Sequence, residues 1–283
     1  MLDLILIVIG MLGLIVASIT DIKTMEVPDW ISYSMIASGL GIRLIYSTIT
    51  SSWNYFLYGV LGFLILFVFG NLMYYTKQWG GGDSKLIMGL GALFATSNIY
   101  PNFLLGIITN ILLIGAIYGV IWGFILAIKN WKNFIKDFKR ELIKNKKILV
   151  FSLITSLIVI TLTYIIIEDK LEILIISLIF LIVIFYYFLT MFVRSVENTC
   201  MLKKIAPNRL TEGDWVAEDI YYNGKLIYNS KSLGVEKKQI EKIKKLKKKI
   251  LVKYGIPFVP SFLIGFIITL IFGNLLFKLL GLQ

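Results

Sequence analysis

The sequence predicts an all-α fold, a polytopic membrane helix bundle of about eight transmembrane helices (six to eight) with a basic cytoplasmic segment. Three observations predict it. Of 283 residues, 58% are hydrophobic and 16% charged, and the mean hydropathy is +0.82, outside the range of ordinary globular domains. The apolar residues form runs of the roughly 20 positions that a helix needs to cross a bilayer. Lysines and arginines collect in alternate connections between those runs, as expected when basic loops stay on the cytoplasmic side.

In chain order, the apolar segments lie at about 2–20, 30–49, 54–75, 84–99, 102–128, 148–167, 171–193 and 257–280. The first reads as a membrane helix and not as a removed signal peptide, because it lacks a short basic start and a small-residue cleavage site. The fourth is short and glycine-containing, in Lys85-Leu-Ile-Met-Gly-Leu-Gly-Ala-Leu-Phe94. It is expected to be a partial or tilted helix packed through its small residues.

The connection 129–147 carries Lys129, Lys132, Lys136, Lys139, Arg140, Lys144, Lys146 and Lys147 against Asp137 and Glu141. That places it inside. The segment 194–255 is also basic and ends in the lysine-rich run 237–249, whereas the connections near Thr50, near Asn98 and at 168–172 carry no basic excess. The last three are expected outside, which puts both termini outside and the tight connections 21–29 and 76–83 on the cytoplasmic face. The chain then divides into a membrane core (1–128), a basic cytoplasmic loop (129–147), a transmembrane hairpin (148–193), a basic cytoplasmic segment (194–255) and a C-terminal transmembrane helix (256–283).

The formal net charge of +12 is accounted for by this topology and by attraction to anionic lipid head groups, worth about 1 kcal/mol per basic residue near the surface. Nucleic acid is not an expected partner. Within 236–249, Ile240, Ile243 and Leu246, followed by Ile250, stand opposite the lysines at helical spacing, which predicts an amphipathic helix lying on the membrane. Arg43, in the second span, is expected to reach the outer head groups.

The chain contains no histidine. That excludes a His-Glu-x-x-His zinc site, an imidazole-activated serine or cysteine nucleophile, and a histidine proton relay. The one cysteine, Cys200, excludes an internal disulfide and a cysteine zinc cage, and reads as a reduced bystander thiol. No metal or other cofactor is expected, and acid–base chemistry falls to carboxylates, lysine or tyrosine.

Two aspartates adjoin apolar spans at the expected cytoplasmic face. Asp21 closes the first, in Ser18-Ile-Thr-Asp-Ile-Lys-Thr-Met-Glu-Val-Pro-Asp-Trp30, and Asp83 opens the fourth, after Gly80-Gly81-Gly82. An ionisable residue at membrane depth is costly and is a functional candidate by default, although one at a helix end can also reach water. The glycine run allows close approach of a second chain or a water. As a pair, two carboxylates that share a proton can cleave a peptide bond, because close like charges let one be ionised while the other stays neutral.

At these residues the sequence resembles the type IV prepilin peptidase family, aspartic membrane peptidases with a Gly-x-Gly-Asp motif, and in particular its archaeal preflagellin and prepilin peptidase branch. Gly80-Gly81-Gly82-Asp83 fits that motif, and Asp21 with its following Ile-Lys-Thr-Met-Glu-Val-Pro fits the first aspartate motif. The resemblance covers 1–128; Leu210-Thr-Glu-Gly-Asp-Trp215 and Gly255-Ile-Pro-Phe-Val-Pro-Ser261 look like the C-terminal region of the archaeal branch.

It implies that Asp21 and Asp83 are catalytic, supported by Gly80, Gly81 and Gly82. The reaction it implies is metal-free removal of a short basic leader from pilin-like or archaellin precursors at the cytoplasmic face of the cell membrane. The chain lacks the four-cysteine zinc domain of many bacterial members, and the extra hairpin 148–193 makes it longer than a minimal six-span enzyme.

Glu26 and Asp29 are candidates to attract a basic leader, or else belong to a solvated turn before a helix that starts near Pro28. Lys85 is a candidate to tune the charge of Asp83 or to reach water, and Glu212 and Asp214 read as ordinary loop carboxylates. A transporter or channel using Asp21 and Asp83 to bind a cation or proton is the alternative, and it predicts mid-membrane carboxylates and inverted repeats. A presenilin-like peptidase is set aside because Thr20 precedes Asp21 and no Pro-Ala-Leu occurs, and a plain scaffold would leave both aspartates unexplained.

Overall fold

A computed structural model describes residues 2–95, 102–167, 169–246 and 248–281. The chain forms two compact units, one of Met1–Ile121 with Gly255–Gln283 and the other of Trp122–Tyr254. The C-terminal segment therefore belongs with the N-terminal core instead of standing as a separate part. The expected outer connection near Asn98 lies outside the described residues, as do Glu168 and Lys247.

The first unit is helical: α1 (Leu2–Thr24), α2 (Asp29–Ile49), α3 (Asn54–Tyr75), α4 (Gly81–Phe94), the start of α5 (Phe103–Lys129), then α10 (Val259–Phe272) and α11 (Leu275–Leu279). Its core includes Leu14, Met35, Leu66, Leu90, Ile107 and Phe266. In α4 every residue from Leu86 to Phe94 is buried, so this helix of 14 residues, about 21 Å long at 1.5 Å per residue, is the axis of the bundle.

Close approach of α3 to α4 explains the glycines in both. A Cβ at Gly62 would overlap the Gly91 carbonyl, and one at Gly91 would overlap that of Gly62. Gly62→Ala or Gly91→Ala should therefore each cost about 1–3 kcal/mol through overpacking, read as a lower unfolding temperature in detergent; an unchanged value would contradict the contact.

The expected span 257–280 is not continuous. Gly273 takes φ +70°, which ends α10, and fully buried Asn110 of α5 spans the break. Its Nδ2 donates to Thr269 Oγ1 at 2.9 Å and to the Gly273 carbonyl at 2.8 Å, and its Oδ1 accepts from the Leu275 N–H at 3.1 Å. The Gly273 carbonyl and the Leu275 N–H, both at the break, thereby gain partners inside the protein. Asn110→Leu should destabilise the first unit by about 1–3 kcal/mol per group left unpaired, measured by thermal unfolding.

In the second unit, α6 (Trp131–Lys144) turns the expected basic loop into an amphipathic helix. It buries Phe134, Asp137 and Glu141 and pairs Asp137 with Arg140. Helices α7 (Lys146–Ile166) and α8 (Lys170–Val196) follow and pack against each other. Along α8, Leu174, Leu178, Leu181, Ile182 and Phe185 stand exposed. Such a surface is matched to lipid and not to water. Among the described residues, five helices are long and apolar enough to cross a membrane: Leu2–Thr24, Asn54–Tyr75, Phe103–Lys129, Lys146–Ile166 and Lys170–Met201. The protein is a multi-pass membrane protein.

After α8 the chain departs from the helical expectation. Strands β1 (Leu202–Ile205), β2 (Trp215–Val216) and β5 (Ile250–Lys253) form an antiparallel sheet in the order β1-β5-β2, and β3 (Ile220–Tyr222) pairs with β4 (Lys225–Tyr228). The expected membrane-lying helix over 236–249 is corrected: α9 is only Lys237–Ile243, and Ile240, Ile243 and Ile250 enter a core with Val216, Tyr228 and Val252. The apolar stripe is used up inside this small domain, which leaves the lysines as its surface. Glu212 pairs with Lys237 at 3.4 Å, and Asp214 accepts the Thr211 N–H at 2.8 Å, so both are structural loop carboxylates. Cys200 is a free thiol, partly buried.

Candidate active site

Three helix ends meet around the two aspartates. Asp21 lies in the last turn of α1, Asp83 in the first turn of α4, and the start of α10 comes up against Asp21. Asp21 is buried, at 5% exposure, while Asp83 is partly buried. The turn that precedes Asp83 packs against the connection that follows Asp21, Gly82 against Val27. Sequence position alone gives no such meeting, since they are separated by two further helices.

Each aspartate is held by a backbone N–H group. Asp21 Oδ2 accepts from the Val259 N–H at 2.9 Å. This is among the first N–H groups of α10, which have no partner inside their own helix, and the positive end of the helix dipole faces the carboxylate. Asp83 Oδ2 accepts from the Gly80 N–H at 3.1 Å, so the side chain three residues into α4 caps the N–H at the helix start.

The glycines have separate reasons. Gly80 supplies that N–H from an extended backbone, with φ −69° and ψ 164°. Gly82 lies against the connection that follows Asp21, where a Cβ would come 2.9 Å from Val27 Cβ. At Gly81 a Cβ would make only ordinary contact with Tyr74. Gly82→Ala should therefore disturb the meeting of the two aspartate loops more than Gly81→Ala does, and comparing the two in any activity assay tests the packing directly.

Lys85 is engaged elsewhere. Its Nζ pairs with Asp29 Oδ1 at 2.7 Å and lies 5.6 Å from the Tyr33 ring centre, which ties the start of α4 to the start of α2. Asp29 thus already has a cation beside it, and Glu26 is exposed on the same connection.

Arg43 is corrected. It is 1% exposed and does not reach head groups: Nε donates to the Ala92 carbonyl at 3.1 Å, Nη2 to that of Leu93 at 2.6 Å, and Nη1 to that of Tyr55 at 3.3 Å. The buried guanidinium satisfies carbonyls at the C-terminal end of α4, the helix that carries Asp83 at its other end.

Two neighbours of Asp21 went unnoticed in the sequence. One is the Phe258–Val259 backbone, 238 positions away from its acceptor. The other is Tyr118 of α5, which lies within electrostatic reach of Asp21. In the sequence the Gly255–Ser261 segment stands out only by its resemblance to the archaeal branch. Among the described residues no group of three or more Cys, Asp or Glu side chains is arranged to hold a metal ion.

Comparison with known proteins gives consistent matches, and the family match takes in the helices that carry the two aspartates but not α10. Residues 8–124 match the type IV leader peptidase family. A preflagellin peptidase of Methanocaldococcus jannaschii is 39% identical over 105 residues, covering 37% of this chain and 44% of that protein. Another from Methanococcus voltae is 34% identical over 141 residues, 46% of this chain and 60% of that protein. A third, from Methanococcus maripaludis, is 36% identical over 105 residues, 37% of this chain and 42% of its own length. The matched stretches thus span between two fifths and three fifths of these curated relatives.

Proposed function

With residues 8–124 matching the type IV leader peptidase family as the premise, we propose that the chain is an aspartic endopeptidase with Asp21 and Asp83 as its catalytic pair. Its substrates are pilin-like or archaellin precursors, from which it removes the short basic leader at the cytoplasmic face of the cell membrane. The observation that carries this reading is that two carboxylates stand at helix ends whose connections pack together, Gly82 against Val27, each anchored by a backbone N–H group.

One carboxylate, ionised, takes a proton from a water, which attacks the scissile carbonyl. The other, protonated, gives its proton to the carbonyl oxygen. The resulting diol collapses as the C–N bond breaks: one carboxyl gives its proton to the leaving amine while the other carboxylate takes the proton of the diol hydroxyl that becomes the new carbonyl. The dyad ends with one proton shared, as it began, and titrates as a unit.

The position of the pair favours this over the transporter reading. Both aspartates stand in terminal turns and not at mid-helix, so a leader just outside the membrane can meet them. Glu26 and Asp29 are the proposed acidic contacts for that leader, with Asp29 shared by Lys85. Anionic lipids are the proposed partners of the basic surfaces on α6 and on the β-domain. The deciding experiment reconstitutes the full chain in vesicles with a candidate archaellin or pilin precursor and follows the precursor by mass. Loss of a short leader is expected; a precursor left whole across both classes would overturn the assignment.

A further inference from the structure

The two aspartates are supported from opposite sides by backbone that side chains must hold in register. Asp83 takes its N–H from Gly80, and the residue immediately before Gly80 is Trp79, buried at 4% exposure. Asp21 takes the Val259 N–H at the start of α10, where Phe258 is the N-cap residue and makes no side-chain cap bond of its own. The rings of these two supports touch. Trp79 lies 6.3 Å from Phe258 and 5.0 Å from Phe262, centre to centre, and Phe258 and Phe262 meet edge to face at 5.8 Å.

On its other side, the Phe258 ring occupies the space of a missing side chain, since a Cβ at Gly115 would come 2.5 Å from Phe258 Cζ. A continuous path therefore runs from the Asp21 carboxylate through the 258–259 backbone, the Phe258 and Phe262 rings and Trp79 to the Gly80 N–H and Asp83. Pro257 and Pro260 flank Phe258 and restrict the backbone at this point.

We propose that Phe258, wedged between Trp79 and Gly115, is a positioning residue that fixes the start of α10 against the glycine turn and so sets the separation of Asp21 and Asp83. This rests on the assignment of those aspartates as the catalytic pair. The ring acts through the backbone that binds Asp21. Misplacement by about 1 Å at a reacting centre can cost up to 100-fold in rate, so a looser contact is read in turnover before it is read in binding.

The test uses the full chain in vesicles and a precursor that the unaltered protein cleaves. Phe258→Leu should lower kcat about 10-fold or more, leave KM within about twofold and change the pH profile of kcat, with no loss of folded protein. Gly115→Ala alone should also lower kcat by displacing the ring. In the Phe258→Leu background the added methyl group instead fills vacated space, and Gly115→Ala should restore part of the lost turnover.

Unchanged kcat in both single variants would overturn the inference, as would losses confined to KM or equal to the loss of folded protein. Additive losses in the double variant would overturn it as well. Failure of the unaltered protein to cleave any precursor overturns the peptidase assignment itself and this inference with it, whereas full cleavage by Phe258→Leu overturns this inference alone.

Discussion

Asp83→Asn should reduce leader cleavage by on the order of 1,000-fold or more, and Asp21→Asn should do the same, with both proteins folded and present in the membrane in normal amount. Removal of a general acid or base typically costs 100- to 10,000-fold, and here each group is needed in both proton transfers. Asparagine preserves the shape and an acceptor oxygen, so the Val259 N–H on Asp21 and the Gly80 N–H on Asp83 keep a partner and the helix ends stay in place. Groups that act as a unit lose their effects non-additively, so the double variant should be little worse than either single one. Single-turnover cleavage followed by mass measures all three. Near-normal rates in either single variant would remove that aspartate from the chemistry.

The largest expected effect on stability comes from Arg43→Ala. The guanidinium is buried with the carbonyls of Tyr55, Ala92 and Leu93 as acceptors, and its removal takes this donor from the last-turn carbonyls of Ala92 and Leu93 and opens a cavity among α2, α3 and α4. Breaking a buried charged group out of such a site costs about 3–5 kcal/mol, and each orphaned carbonyl contributes about 1–3 kcal/mol of that kind of penalty. Arg43→Lys should recover only part, because a single ammonium cannot reproduce the planar fork that meets separate carbonyls. Thermal unfolding in detergent measures both variants. If Arg43 instead only reached head groups, both would unfold near the temperature of the unaltered chain.

Arg43 also shows why some of the molecule could be read in the sequence and some could not. An arginine within an apolar run has two ways to escape lipid, outward to the head groups or inward to bare carbonyls, and its neighbours in sequence do not distinguish them. The bundle decides, because α4 ends after 14 residues and its last carbonyls need a donor that α2 can bring. The lysine-rich run at 237–249 is a similar case. Helical spacing of Ile240 and Ile243 correctly marks a buried stripe, but whether it is buried in lipid or in protein depends on strands β2, β4 and β5, which supply the core. Those strands are two to four residues long, too short for an alternation pattern to stand out.

Glycine spacing and the two aspartate motifs were legible because they are local: Gly80, Gly81, Gly82 and Asp83 are consecutive, and the cap they form needs only one turn of chain. The C-terminal span was legible as apolar but not as broken, since the left-handed backbone at Gly273 is stabilised by Asn110, 163 positions earlier.

By itself, then, the sequence determined that the chain crosses a membrane several times, that its chemistry must run without histidine, and that Asp21 and Asp83 are the carboxylates to watch. These follow from composition, from run length against bilayer thickness and from local motifs, all of which are independent of how helices pack. Only the tertiary structure decided that α10 returns to hold Asp21, that Arg43 caps α4 and that the basic segment folds into a small β-domain. Each of these is a hydrogen bond or a buried contact between residues tens to hundreds of positions apart, and such pairings are fixed by which polar groups remain unsatisfied once the helices have packed.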